Sequence, residues 1–136
     1  MSVFKVLKVV VVDDMSISRG LIGQTLEQIG VTNVRYAEDG KEALKLMKED
    51  VAHLVISDYN MPKMSGLELL AALRGNAKTA KVGFILITGK ATRPILEEGV
   101  RLKMNNYLLK PFEPDQLIDV VKQVFAKKAA PAKKAS

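Results

Sequence analysis

The stretch Leu54-Val55-Ile56-Ser57-Asp58-Tyr59-Asn60-Met61-Pro62 limits the possible folds more than any other part of the chain. A short apolar run rich in β-branched residues, without polar alternation, fits a strand buried on both faces, as in a parallel sheet. Pro62 cannot extend a strand, so the chain must turn there. Asp58 therefore stands at the carboxyl end of a buried strand, and open α/β sheets hold their ligand sites at those ends.

Similar runs recur along the chain. Val6 to Val12, broken by Lys8, predicts a first strand ending at Asp13-Asp14; Val34 to Ala37 predicts a second and Leu54 to Ser57 the third. Val82 to Ile87, before Thr88-Gly89, predicts the fourth, and Tyr107 to Leu109, before Lys110-Pro111, the fifth. Helical patterns lie between them. Ser16 fits an N-cap for Ile17, Leu21, Leu26 and Ile29, with Gly30 as the stop. Gly20 and Gly23 inside that helix each cost about 1 kcal/mol relative to Ala and read as points of close helix–sheet packing. Asp39-Gly40 opens a helix carrying Ala43, Leu44 and Met47, and Ser65 with Glu68 forms a capping box before Leu67, Leu70 and Leu73. Thr92 or Arg93 starts the fourth helix, with Pro94 in its first turn and Ile95, Leu96, Gly99 and Val100 along it. Pro114 opens the last, with Leu117, Ile118, Val121, Val124 and Phe125 expected inward. Five strands alternating with five helices predict an α/β fold, a doubly wound five-stranded parallel sheet. Right-handed crossovers leave few strand orders; the flavodoxin-like order 2-1-3-4-5 puts a site between strands one and three.

At 136 residues and 48% hydrophobic content the chain suits one domain with one core and is not a disordered chain. It has no apolar run of membrane-spanning length, and Met1 to Lys5 lacks the features of a signal peptide. With no cysteine, disulfides and thiolate metal sites are excluded. A soluble cytoplasmic protein is expected. The net charge of +6 is concentrated late: setting Lys127, Lys128, Lys133 and Lys134 aside from 21 basic residues leaves 17 against 15 acids. The folded part lacks the clustered basic face and stacking aromatics of a nucleic-acid binder. Residues 1–127 are expected to form the domain, and the Ala/Lys/Pro-rich 128–136 a disordered, solvated tail.

In the order 2-1-3-4-5, Asp13, Asp14, Asp58, Thr88 and Lys110 meet at one edge. Each has a blander reading: the acid pair as a solvated turn, Thr88 as a helix cap. Gathered, the carboxylates repel one another, and a divalent cation removes the conflict. Carboxylates with a backbone carbonyl and waters suit octahedral Mg²⁺; zinc is disfavoured without thiolates and with His53 far from the strand end. Beside a metal, a lone carboxylate is able to attack phosphorus, with Lys110 supplying positive charge, Thr88 a hydrogen bond, and Gly89 room. His53, the one histidine, reads as structural or exposed, and Met61 and Met64 as loop packing.

This set resembles a response-regulator receiver domain, most closely the stand-alone chemotaxis (CheY-like) type, over roughly residues 5–126. The resemblance rests on Asp13-Asp14, the run from Asp58 to Gly66, Thr88-Gly89, Tyr107 and Lys110-Pro111-Phe112. It implies that Asp58 is the phosphoacceptor, served by a sensor histidine kinase. It implies that Asp14, Asp58 and the Asn60 carbonyl ligate Mg²⁺, with Asp13 acting through a metal-bound water. Lys110 would pair with the phosphoryl oxygens, Thr88 would move to bond them, Tyr107 would turn inward, and the Lys110–Pro111 bond would be cis. The target would bind the face of helix four, strand five and helix five, with a flagellar motor switch or a phosphate-sink role foreseen. A monomer is expected, catalysing only its own phosphorylation and dephosphorylation. With no effector domain following, output would be by binding.

Two departures stand out. Ser65 replaces an acid that is frequent in the family, and Leu102-Lys103-Met104 stands where Ala-Gly-Ala is common. Asn105 or Asn106 is expected to supply the left-handed residue that ends helix four. Arg93, Arg101 and Lys103 suggest a basic surface open to an anionic ligand. Other readings are a relay or adaptor receiver in another two-component pathway, or a Mg²⁺-dependent phosphohydrolase. The latter would need an acid where Asn60 stands. An FMN protein would need a phosphate-binding loop after strand one.

Overall fold

The computed structural model describes residues 3–129. A 3₁₀ turn, Val3–Val6, leads into β1 (Lys8–Val12), α1 (Ser16–Gln28), β2 (Asn33–Ala37), α2 (Gly40–Glu49) and β3 (Leu54–Asp58). Then follow α3 (Gly66–Arg74), β4 (Gly83–Thr88), α4 (Arg93–Arg101), β5 (Asn106–Leu109) and α5 (Pro114–Ala129). The strands form one parallel sheet in the order β2-β1-β3-β4-β5, one of the few that right-handed crossovers allow. Among the described residues no helix is long and apolar enough to cross a membrane.

Strand alternation divides the core. Val9, Val11, Leu54, Ile56, Ile85, Ile87 and Leu108 face a layer built with Ile22 and Leu26 of α1 and Leu117, Val121 and Val124 of α5. Val10, Val12, Val55, Phe84 and Leu86 face the other way, against Ala43 and Met47 of α2 and Leu67, Leu70 and Leu73 of α3. Both faces of β3 and β4 are buried, which is why their runs show no polar alternation.

Several boundaries differ from the sequence reading. β1 begins at Lys8 rather than Val6, because its ladders start at Lys8↔Asn33 and Val9↔Leu54; Val6 has no strand to pair with and is 67% exposed. The N-cap of α1 is Met15, and Ser16 is already helical; Asp13 Oδ1 instead accepts from the Met15 amide at 2.9 Å. That start sets the helix phase, so Ile22 and Leu26 are buried, whereas Ile17 is 81% and Leu21 43% exposed. Of the two helix glycines, Gly23 lies against the Tyr36 hydroxyl of β2, but Gly20 has open space around it and no packing reason. Along α4, Val100 faces solvent and Gly99 is the buried residue. The boundary expected at residue 128 falls within α5, and residues 130–136 of the foreseen tail lie outside the described residues.

The other caps read from sequence stand where expected: Asp39 accepts from the Glu42 amide, Ser65 and Glu68 form a reciprocal box, and Thr92 caps α4. The end of α4 is different. Lys103, not Asn105 or Asn106, takes the left-handed conformation at φ 64°. The Met104 amide bonds to the Gly99 carbonyl at 2.9 Å and the Lys103 amide to that of Val100 at 3.0 Å, the two bonds of a Schellman motif. Met104 sulfur packs where a Gly99 side chain would otherwise lie, so Gly99 serves the closure of the helix. Asn105 is occupied on β4, its side chain accepting from the Phe84 amide at 2.8 Å.

Candidate functional site

Parallel strands in register bring their carboxyl ends to one edge. β1 and β3 are adjacent at the centre, and Asp13 follows β1 as Asp58 ends β3. One carboxylate oxygen from each of Asp13, Asp14 and Asp58 lies within 4.8 Å of the others. Asp13 and Asp58 are buried and Asp14 is exposed, so the cluster opens to solvent on the Asp14 side. Lys110, one residue beyond β5, places Nζ 3.0 Å from Asp58 Oδ1 and 3.9 Å from Asp13 Oδ2. The structure thus brings together four of the residues foreseen from sequence.

The electrostatics are unbalanced. Burial pushes the Asp58 carboxyl above its ordinary value; the Lys110 ammonium opposes this, and the charges of Asp13 and Asp14 add to it. One ammonium faces three carboxylates. Asp13 Oδ1 is used by the Met15 amide, but Asp13 Oδ2 is buried without a hydrogen-bond partner. An orphaned buried carboxylate oxygen is costly unless a cation meets it. The donors are hard oxygens without thiolate or imidazole, which fits Mg²⁺ or another hard divalent ion.

The other foreseen residues take separate positions. Thr88 is 2% exposed, and its hydroxyl donates to the Lys90 carbonyl at 2.9 Å and accepts from the Lys90 amide at 3.0 Å. Its hydroxyl is thus engaged by its own turn. Tyr107 is half-buried against the α2–α3 layer. Asn60 is exposed two residues after Asp58. The Lys110–Pro111 bond is cis. His53 lies at the other end of β3, where its Nδ1 accepts from the Lys8 amide at 2.9 Å. By strand alternation Asp13, Asp58 and Lys110 share the side of the α1–α5 layer, whereas Thr88 and Tyr107 share the opposite side.

The loop after Asp58 is tightly specified. The Tyr59 amide bonds to Ile87, and the Gly66 amide bonds back to the Tyr59 carbonyl, both at 2.8 Å. A side chain at Gly66 would collide with the Asp58 carbonyl and approach Leu86 Cδ1 to 2.8 Å. Lys63, at φ 71°, centres a three-residue turn closed by Met64 N to Pro62 O at 2.7 Å. Met61 is buried under this loop and the Met64 sulfur packs over Gly40, so both pack as read.

Across the whole chain these features coincide with one family. The model of the response regulator receiver domain matches residues 9–122. The chain belongs to the receiver-domain family. It is 40% identical over 125 residues to a probable chemotaxis protein CheY of Rhizobium etli, covering 92% of this chain and 97% of that one. A chemotaxis protein CheY of Pseudomonas aeruginosa is 31% identical, with 88% and 96% covered. Among solved structures, CheY4 of Vibrio cholerae superposes with a TM-score of 0.82 at 31% identity, covering 87% and 98%. The receiver domain of AraT from Geobacillus stearothermophilus gives 0.79 at 35%, covering 91% and 96%. Receiver domains are phosphorylation-activated modules of two-component signalling rather than conventional enzymes.

One residue of this receiver domain escaped the sequence reading. Arg74, at the end of α3, donates from Nε to the Leu102 carbonyl at 3.0 Å and from Nη2 to that of Lys103 at 2.8 Å. Its Nη1 reaches the carbonyls of Ala80 at 3.0 Å and Val82 at 2.9 Å. It clasps the end of α4 to the segment before β4. The basic surface expected at α4 is largely neutralised, since Arg101 pairs with Glu98 at 2.6 Å and Arg93 with Glu97 at 3.8 Å.

Proposed function

We propose that the chain is a chemotaxis switch whose Asp58 accepts a phosphoryl group from the phosphohistidine of a sensor kinase and whose output is binding to a target. The Asp13–Asp14–Asp58 cluster facing Lys110, with an orphaned buried oxygen, carries this reading. A carboxylate oxygen of Asp58 attacks phosphorus. The P–N bond breaks, the imidazole leaves with the electron pair and regains a proton from water, and an acyl phosphate remains. Lys110 offers charge to the phosphoryl oxygens. Asp14, Asp58 and the Asn60 carbonyl would hold Mg²⁺, with Asp13 contributing through water. The ion, when bound, neutralises charge between the carboxylates and the incoming phosphoryl group.

A cavity of about 430 Å³ lined by Asp13, exposed Leu21, Ile22, Lys110 and Phe112 suits docking of the donor next to Asp58. Thr88 would release Lys90 to bond the phosphoryl group, and Tyr107 would turn inward behind it. Exposed Val100 and Leu109 on the α4–β5–α5 face offer the surface a target would read, a flagellar motor switch among the candidates. The protein acts as a cytoplasmic monomer in this reading.

Labelled acetyl phosphate with Mg²⁺ tests it. The wild type should take up one hydroxylamine-labile phosphoryl group, and Asp58→Asn or chelation should abolish uptake. Label retained in Asp58→Asn, or sustained turnover of small phosphate esters, would overturn it.

A further inference from the structure

At the pole of the sheet opposite Asp58, a groove of about 550 Å³ opens between the first turn, the start of β4 and the end of α5. This volume falls in the range of roughly 300–1,000 Å³ usual for ligand sites. Val6, Val51, Val82 and Phe125 supply its apolar surface, and exposed Lys78 and Lys81 stand at its rim. Among the described residues no carboxylate lines it, and the nearby Asp50 is paired with Lys8 at 2.9 Å. His53 also lines it; with Nδ1 accepting from the Lys8 amide, the neutral ring carries its proton on Nε2 as a donor. The sequence predicts His53 to be structural or exposed, and Val6, expected in a strand, is instead a solvent-facing apolar residue at this groove.

An apolar floor with a purely basic rim selects its occupant. The chain's own residues 130–136 carry Lys133 and Lys134 and no acidic side chain, so they lack the charge that such a rim selects. A second copy presenting the same face would meet lysine with lysine. We propose that this groove docks an acidic amphipathic helix of a partner protein, placing apolar residues at i, i+3, i+4 and i+7 on the floor and carboxylates against Lys78, Lys81 and His53. A five-residue strand spans about 17 Å, so an occupant here leaves the Asp58 edge uncovered. Binding is therefore independent of phosphorylation, and the site would hold the switch near its signalling partners in either state.

The probes are two synthetic helices of about 16 residues, long enough to hold helical structure. Both carry Leu at i, i+3, i+4 and i+7 on an alanine background, with four Glu on the flanks of the apolar stripe in one and four Lys in the other. Titrated into the full-length protein, the Glu helix should shift the amides of Val6, His53, Lys78 and Lys81, and added salt should weaken it. Lys78→Glu with Lys81→Glu, both on exposed positions, should weaken the Glu helix about tenfold or more and favour the Lys helix. Val6→Asp, also exposed, should weaken the Glu helix without charge reversal at the rim. Asp58→Asn should bind as the wild type does, which separates failure here from failure of the phosphoacceptor reading. Equal binding of both helices, shifts confined to the α4–β5–α5 face, or no binding would overturn the proposal. So would sedimentation with phosphatidylglycerol vesicles in the absence of peptide binding.

Discussion

Replacing Lys103 by glycine isolates the strain at the end of α4. Lys103 holds φ 64° because the Schellman closure of α4 requires a left-handed residue there, and its side chain is exposed. A residue with a Cβ pays roughly 1–2 kcal/mol in that conformation. Glycine avoids this but loses about 0.5–1 kcal/mol through the greater freedom it gives the unfolded chain. The net gain for Lys103→Gly is about 0.5–1 kcal/mol, which for a domain of this size raises Tm by about 2–5 °C. Calorimetry and the urea midpoint at constant m report it. Lys103→Ala should show no comparable rise, since alanine keeps the strain. Lys122→Gly, at an exposed position within α5, should lose about 1 kcal/mol. If Lys103→Gly fell in step with Lys122→Gly, the strain would be refuted.

Four further outcomes follow from the site and its supports. Burial holds the Asp58 carboxyl above its ordinary value, so its ionisation costs stability as pH rises from the normal carboxylate range through the raised folded value; with chelator present, Asp58→Asn should match the wild type in acid and exceed it increasingly toward neutrality, and a gap constant with pH would contradict this. Mg²⁺ should raise the wild-type Tm by mass action, and Asp13→Asn, which removes the orphaned oxygen's charge, should blunt that rise. Arg74→Ala strips four carbonyls of a charged donor, and a loss of about 1.5–3 kcal/mol with faster hydrogen exchange at residues 102–104 is expected; unchanged exchange would show the clasp to be idle. Gly66→Ala should cost about 1–3 kcal/mol and weaken Mg²⁺ binding together, since the added carbon strikes the Asp58 carbonyl.

What the sequence disclosed were features with local causes. Capping at Asp39, Ser65 and Thr92 needs only a hydroxyl or carboxylate three residues before its amide, and strand ends declare themselves where apolar runs meet acids, glycine or proline. The acid cluster followed because strand order converts those ends into neighbours. Features settled by distant partners were hidden. Ile17 and Ile22 look alike in composition, yet the start of α1 decides which is buried. Lys103 carries no mark of left-handedness; position within a closure imposes it. Arg74 reads as an ordinary last-turn cation, and its acceptors lie up to 29 residues away.

The alternation that sets Asp13, Asp58 and Lys110 on one side of the sheet and Thr88 and Tyr107 on the other has a mechanical consequence. On the proposed reading, in which Asp58 receives the phosphoryl group and Thr88 and Tyr107 respond, the sheet would act as a partition between receiving and reporting compartments. Side chains filling the Tyr107 compartment would then have to preserve an equilibrium between two arrangements. A core exchange that is silent in stability should still alter signalling when made on the Tyr107 side, and should alter it less when made between the sheet and α1.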